Sequence, residues 1–293
     1  MIAIDAALAR CNFVSSTVEL AVSGGADSVA MALLARKAGL EATIHHVDHH
    51  LRRDSGDDAA LVEQLARDLD FNYVRHDVHL EAGANVESRA RAARRAVLSP
   101  LALTGHTMDD LAESVLINLL RGAGIDGLSP MVNESTKPIL ALRRSEAKEI
   151  VVDSQRPFVV DSTNADLNIL RNRIRLETLP MLCDVARRDL TPVIARQAIL
   201  IGDERRWLDE ICADDVRRAL DDIDCRELTT WPTARLRRWL RAKLSYPDRG
   251  DGEHPPSAAE VDRVIDVVRG ASIATEIGGS RRVSRHGQHL KIT

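Results

Sequence analysis

Aromatic side chains make up only 3% of this 293-residue chain: two tyrosines, three phenylalanines and three tryptophans. A base-stacking platform for single-stranded nucleic acid needs more rings than that. Contacts with bases are therefore expected to fall to arginine, whose planar guanidinium stacks and makes paired hydrogen bonds. Cysteine is equally sparse. Cys11, Cys183, Cys212 and Cys225 are scattered without CxxC or Cys–His spacing, which argues against structural zinc, an iron–sulfur cluster and a disulfide framework. No apolar run approaches a membrane span, and Met1 to Asn12 lack a basic stretch followed by an apolar core. Neither an anchor nor a secretion signal is expected, and the expected location is the cytoplasm. A net charge of −4 argues against a uniformly basic nucleic-acid binder, although it hides local clusters. The length accommodates one large domain and a smaller one.

What the chain does have begins at Val18. A valine- and leucine-rich run breaks at Ser23-Gly24-Gly25-Ala26-Asp27-Ser28 and resumes with helical apolar spacing from Val29 to Ala35. That pattern predicts strand, tight loop and helix. Paired glycines let the backbone approach a ligand, and the free amides of the helix start favour phosphate. No lysine lies near the glycines, so this is not a Walker A loop, and it lacks the GxGxxG of a dinucleotide fold. Asp27 beside a phosphate cradle suits a magnesium ion on the phosphates. The bland alternative is a glycine turn with a capping serine. The complete SGGxDS pattern resembles the PP-loop of ATP pyrophosphatases, which split ATP between its α and β phosphates.

Ala42 to Val47 reads as a second strand that ends among His45, His46, Asp48, His49 and His50. Adjacent strand residues face opposite sides, so this spacing suits the rim of a nucleotide crevice better than a shared metal ion. A capping box at Ser55 opens a helix to about Asp70, and Asn72 to Val78 reads as a third strand. Val86 to Leu98 reads as an arginine-laden helix. There Arg91 and Arg94 share a face, either as solvated surface or as phosphate contacts. Leu101 to Thr104 is a fourth strand, followed by Gly105-His106 and a helix from Met108 to Leu120 with Leu111, Val115, Leu116 and Leu119 on its buried side. Asp109, Asp110 and Glu113 at its start could simply cap it. Together with His106 they exceed what capping needs, and Asp110 and Glu113, three apart, could jointly hold a cationic amine or an ion. Lys137 to Leu140 reads as a further strand and Arg144 to Val152 as a helix. Arg171, Asn172 and Arg175, just before Pro180, fit either a surface helix or phosphate and base contacts. A long amphipathic helix is expected from about Thr191 to Asp222, then a helix from Trp231 to Leu244, a linker from Gly250 to Pro256, a helix from Ser257 to Val268, and short strands to Ile292.

In order, SGGxDS, HVDHHLR (His46–Arg52), ARxxR (Ala90–Arg94), GHxxDDxxE (Gly105–Glu113), RGxGxxGL (Arg121–Leu128), DxxN (Asp161–Asn164) and RNxIR (Arg171–Arg175) cover roughly residues 18 to 180. This ordered set resembles the tRNA(Ile)-lysidine synthetase family, here in a short form with one small C-terminal domain. The resemblance implies an α/β fold, a Rossmann-like parallel sheet of the PP-loop ATP pyrophosphatase type, followed by a long helix and a small α+β domain. The expected boundaries are a catalytic domain over 1–185, a helical linker over 186–225 and a tRNA-binding domain over 226–293. It further implies ATP with Mg2+, free L-lysine, and an isoleucine tRNA with a CAU anticodon whose wobble cytidine is adenylated and then joined to lysine. A tRNA thiolase of the same superfamily and a nucleotide-binding regulator are the alternatives. By the resemblance, Ser23, Gly24, Gly25, Ala26, Asp27 and Ser28 bind ATP, and Asp27 also helps hold magnesium. His106, Asp110 and Glu113 join Asp27 in catalysis, while Arg91, Arg171, Asn172 and Arg175 meet the tRNA. Arg95 stands where the family usually has tyrosine, and Ser114 where it has threonine. Oligomeric state is not legible in the sequence.

Overall fold

The computed structural model of the chain describes residues 4–50, 55–79, 86–131, 135–160, 162–219, 224–248 and 252–293, excluding the side chains of 55, 86–88, 91, 162, 246–248 and 252–254. It divides into two compact units, Met1–Asp203 and Glu204–Thr293. In the first, α1 (Ile4–Leu8) precedes β1 (Thr17–Ala21), α2 (Ala26–Lys37), β2 (Glu41–Asp48), α3 (Ser55–Asp68), β3 (Asn72–Asp77), α4 (Val86–Val97) and β4 (Leu103–Thr104). The strands form one parallel sheet in the order β3-β2-β1-β4, with Leu20 opposite both Ile44 and Leu103. Successive strands run outward in one direction from β1 and then return to its other side at β4. The carboxyl ends of β1 and β4 therefore flank a crevice where open α/β sheets bind ligands.

Alternation sets the register, since Val18 and Leu20 of β1 and Ala42 and Ile44 of β2 are buried. Helix α2 differs from an ordinary surface helix because every residue from Ser28 to Ala35 is buried. Its far side is covered by α7 (Arg144–Asp153), introduced after α5 (Met108–Leu120) and α6 (Ile125–Leu128), through Ala147, Ile150 and Val151. Full burial of each large aliphatic side chain here contributes roughly 1.5–3 kcal/mol, which fixes α2 and the loop before it.

Lys137 to Leu140 forms turns rather than the expected strand. Leu140 N–H donates to Lys137 C=O and Leu142 N–H to Ile139 C=O. Ile139 and Leu142 are apolar because they plug the core, not because they line a strand. The buried stripe of α5 stops at Val115, and Leu119 is 56% exposed, contrary to the expected face. Pro180 does not end its helix. Helix α8 (Leu170–Arg173) passes through a π-helical turn (Ile174–Thr178) into α9 (Leu179–Ala186). There Leu179 N–H reaches back to Ile174 C=O, and the wider turn accommodates a proline that has no N–H to give. Helix α10 (Thr191–Arg217) follows, and the boundary between the units falls within it.

The second unit contains α11 (Cys225–Thr230), α12 (Thr233–Leu244), β5 (Tyr246–Asp248), β6 (Gly252–His254) and α13 (Ala258–Val268), then β7 (Ala274–Ile277), β8 (Arg281–His286) and β9 (His289–Ile292). Trp239, Leu236, Val264, Val268, Val283 and Leu290 form its own core under an antiparallel β7-β8-β9 sheet. The expected linker from Gly250 to Pro256 supplies β6, paired antiparallel with β5. Trp231 ends α11 rather than opening α12, because Pro232 separates the two helices.

Candidate active site

The loop between β1 and α2 is tied by its own hydroxyls. Ser28 Oγ donates to Gly25 C=O at 2.9 Å, accepts from Ser23 N–H at 3.2 Å and lies 3.3 Å from Ser23 Oγ. Gly25 is the residue before α2 and offers the first helical turn no side-chain acceptor, which leaves its amides to an anionic ligand. Gly24 has φ +89°, a conformation L side chains rarely adopt, and its C=O accepts Val159 N–H at 2.9 Å.

A second glycine joins this loop to the end of β4. A Cβ on Gly105 would lie 2.8 Å from the Asp27 carbonyl oxygen and 2.9 Å from Ser28 Cα, both backbone atoms. Only hydrogen at position 105 lets the start of α5 approach the start of α2. Gly105→Ala is expected to cost about 1–3 kcal/mol by overpacking and to weaken nucleotide affinity. A thermal melt and a nucleotide titration test this, and unchanged values in both would show that the backbones give way freely.

The close approach assembles a cluster of charge. Asp110 closes the first turn of α5, its Oδ2 accepting from Thr107 N–H and Oγ1, each at 2.9 Å. Its Oδ1 faces Arg144 Nη2 at 2.7 Å and Arg171 Nη2 at 3.4 Å. Capping and a second function thus belong to different oxygens of one carboxylate. Glu113, whose side chain is 1% exposed, accepts from Arg144 Nη1 (2.9 Å) and Arg175 Nε (2.7 Å) on Oε1, and from Arg171 Nε (2.9 Å) and Arg175 Nη2 (3.1 Å) on Oε2. Arg144 Nε also lies 3.4 Å from Asp27 Oδ2, so one guanidinium links the phosphate loop to both acids of α5. Burial pushes Asp110 and Glu113 up, but the arginines outweigh it and hold both carboxyls below the usual range. Asp27 moves the other way: burial raises it to about 6, with Arg144 opposing and Asp110 adding to the rise. Its Oδ1 is buried and has no hydrogen-bond partner. An orphaned carboxylate oxygen beside a phosphate cradle fits a hard divalent cation such as Mg2+.

Of the other residues expected at the site, His106 is nearby, with Nδ1 2.8 Å from Thr104 Oγ1. Asn172 is turned inward, its amide donating to Thr163 C=O (2.8 Å) and Asp166 C=O (2.9 Å), so it positions the chain before α8 rather than facing a substrate. Arg171 and Arg175 turn toward the acids rather than outward. The Ser114 hydroxyl accepts from Arg171 Nη2 at 3.3 Å. The Arg91 side chain, Asp161, Leu51 and Arg52 lie outside the described residues. At the end of β2, Asp48, His50 and Asp77 cluster as cation ligands would, but Arg75 already pairs with both acids at 2.9 Å.

Arg144 is absent from the residues that the sequence reading selected. Its backbone N–H donates to Asp109 Oδ2 at 2.8 Å, so the third acid of α5 anchors the start of α7. A signal for it existed. Arg143 and Arg144 open a helix, where the positive end of the dipole disfavours cations unless acids lie close by.

The model of the PP-loop domain family matches residues 3–182. Relatives carrying the name tRNA(Ile)-lysidine synthase include one from Thermobifida fusca, 32% identical and covering 95% of this chain and 92% of the relative. A Streptomyces coelicolor relative is 34% identical, with 94% and 84% covered. The chain belongs to the tRNA(Ile)-lysidine synthase family. Lysidine synthases vary in length, and the chain spans about half (48%) of the Thermus thermophilus relative, to which it is 35% identical over 242 residues. The solved U34-tRNA thiolase NcsA of Methanococcus maripaludis, with its [4Fe-4S] cluster, shares the fold at TM-score 0.52 and 17% identity, over 64% of this chain and 72% of that one.

Proposed function

We propose that the chain joins L-lysine to the wobble cytidine of the CAU-anticodon isoleucine tRNA, using ATP and forming lysidine. The observation that carries this reading is the link from the phosphate loop through Arg144 to the two acids of α5, which brings a nucleotide site and an amine site into one crevice. In the first step the cytosine carbonyl oxygen attacks the α phosphorus of ATP, and the bond to the β-phosphate oxygen breaks. Pyrophosphate leaves toward the amides and hydroxyls of Ser23 to Ser28. In the second step the lysine ammonium gives a proton to one of the α5 carboxylates, the free amine attacks the activated ring carbon, and AMP leaves with the carbonyl oxygen. Asp110 and Glu113 stay ionised through neutral pH and so suit holding and orienting an ammonium group before attack. Mg2+ bound at Asp27 Oδ1 would neutralise charge on the departing phosphates. Arg171 and Arg175 stay paired with the acids and would favour negative charge developing on cytidine or phosphate through their own positive charge.

We assign tRNA docking to the second unit, whose α12 carries Arg235, Arg237, Arg238, Arg241 and Lys243. Three of these arginines pair with Asp215, Asp262 and Asp209, so their exchange onto phosphates replaces one ion pair with another. The affinity for tRNA is then expected to fall steeply with salt.

The test incubates the protein with ATP, Mg2+, labelled lysine and a CAU-anticodon isoleucine tRNA transcript. Label on the RNA that depends on the wobble cytidine and matches AMP formed is the expected result. AMP without label points to another nucleophile, and bound ATP with neither product points to a regulator.

A further inference from the structure

The acids that would hold the amine have no spare oxygen. Asp110 gives one oxygen to Thr107 and the other to Arg144 and Arg171. Glu113 gives both oxygens to guanidinium groups. With Asp27 included, three carboxylates face three arginines, so the cluster is already electrically balanced. An incoming ammonium brings three donors and no acceptor, so it must take its oxygens from an arginine.

We propose that Arg144 is that arginine, a displaceable counter-cation through which nucleotide binding at the PP-loop opens the amine site on Asp110 and Glu113. The inference rests on the ligase reading above. Arg175 grips both oxygens of Glu113, and Arg171 divides its donors among Glu113, the Asp110 carbonyl and Ser114. Neither is tied to the phosphate loop by a direct ion pair. Arg144 instead spreads single contacts over Glu113, Asp110 and Asp27, and it is the described residue that pairs with Asp27. Loading the loop therefore changes the surroundings of Arg144 first. Phosphates at the start of α2 attract its guanidinium, and a divalent cation on Asp27 repels it. Its withdrawal frees acceptor positions on Asp110 Oδ1 and Glu113 Oε1, which an ammonium, with three donors and no acceptor, can take. Withdrawal without a replacement leaves these buried carboxylate oxygens short of a donor, so each ligand favours the other. The backbone need not move, because Asp109 holds the Arg144 N–H and only side-chain rotation is required.

The experiment is equilibrium dialysis of labelled L-lysine against the full chain, with and without α,β-methylene-ATP and Mg2+, a nucleotide that cannot be cleaved between its α and β phosphates. The nucleotide is expected to tighten lysine binding about tenfold, with the same factor for lysine acting on nucleotide. Arg144→Gln is expected to bind lysine without nucleotide and to show coupling below about twofold. Arg144→Lys keeps the charge on a shorter reach and is expected to retain part of the coupling, and the wild-type measurement stands whether or not either variant folds. Lysine affinity in the wild type that ignores the nucleotide, or full coupling in a folded Arg144→Gln, overturns the proposal. Incorporation of lysine into tRNA without coupling overturns it and leaves the ligase reading intact. Absence of both incorporation and lysine binding overturns both.

Discussion

Asp27→Asn is expected to stabilise the fold at neutral pH while lowering AMP formation about 10²–10³-fold. The two effects have one origin. Asp27 sits at the start of α2, where burial raises its carboxyl from 3.8 to about 6 despite Arg144. The folded state therefore holds the proton more tightly than the unfolded chain does. Below pH 3.8 both states are protonated and the group costs nothing. Between 3.8 and about 6 the unfolded chain ionises first and stability falls. Above about 6 the whole cost is present, roughly 3 kcal/mol for such a shift. Asparagine removes the ionisation, so its stabilising effect should appear in thermal melts at pH 7.5 and fade toward pH 4. The same change removes the negative charge of the carboxylate whose orphaned oxygen fits Mg2+, the charge that the proposed departure of pyrophosphate would use. A variant that is both active and more stable would mean that Asp27 serves only as a partner for Arg144. A destabilised variant would mean that the ion pair outweighs burial.

Both effects together would mark a residue kept for chemistry at the expense of the fold. Strands β1 to β3 were readable because alternation and loop glycines agree, and the phosphate loop was readable because its motif is contiguous. Lys137 to Leu140 misled because a short apolar run does not say whether it pairs with a strand or plugs a core. The continuation of the helix through Pro180 is not legible in the sequence, because a π-helical turn absorbs a residue that usually ends a helix. The acids of α5 could be found by spacing within one helix. Their partners could not, since Arg144 lies 31 residues from Glu113 and Arg171 lies 58 residues from it. Periodicity reports neighbours along a helix, whereas this cluster is closed by contacts between helices. Only the misfit of two arginines at the positive end of α7 hinted at acids across the crevice. Gly105 carried a similar hidden constraint, visible as a glycine but not as the contact between two backbones.

Glu113→Ala is expected to be the most damaging single change to stability, costing about 3–5 kcal/mol in urea unfolding. Its carboxylate is almost wholly enclosed and accepts four N–H groups from three arginines, so deletion strands positive charge around a cavity. Glu113→Gln keeps the volume but points an amide N–H at a guanidinium, and it should recover only a small part of the loss. The converse change is milder. Arg175→Ala leaves Glu113 with Arg144 and Arg171, and the three arginine side chains are 21–26% exposed, enough for water to reach the gap. About 1–2 kcal/mol is expected there, near the value of one charge-assisted hydrogen bond. The asymmetry is the informative quantity, because it separates a balanced cluster from a set of independent pairs, in which Glu113→Ala and Arg175→Ala would cost alike. The pH dependence supplies a second reading. The Glu113 carboxyl is held below its ordinary 4.5, so its stabilising contribution is complete above that pH and is lost as pH falls through the lowered value. The gap between wild type and Glu113→Ala should narrow as the pH is lowered below 4.5, and a gap that does not change with pH would assign the loss to packing rather than charge.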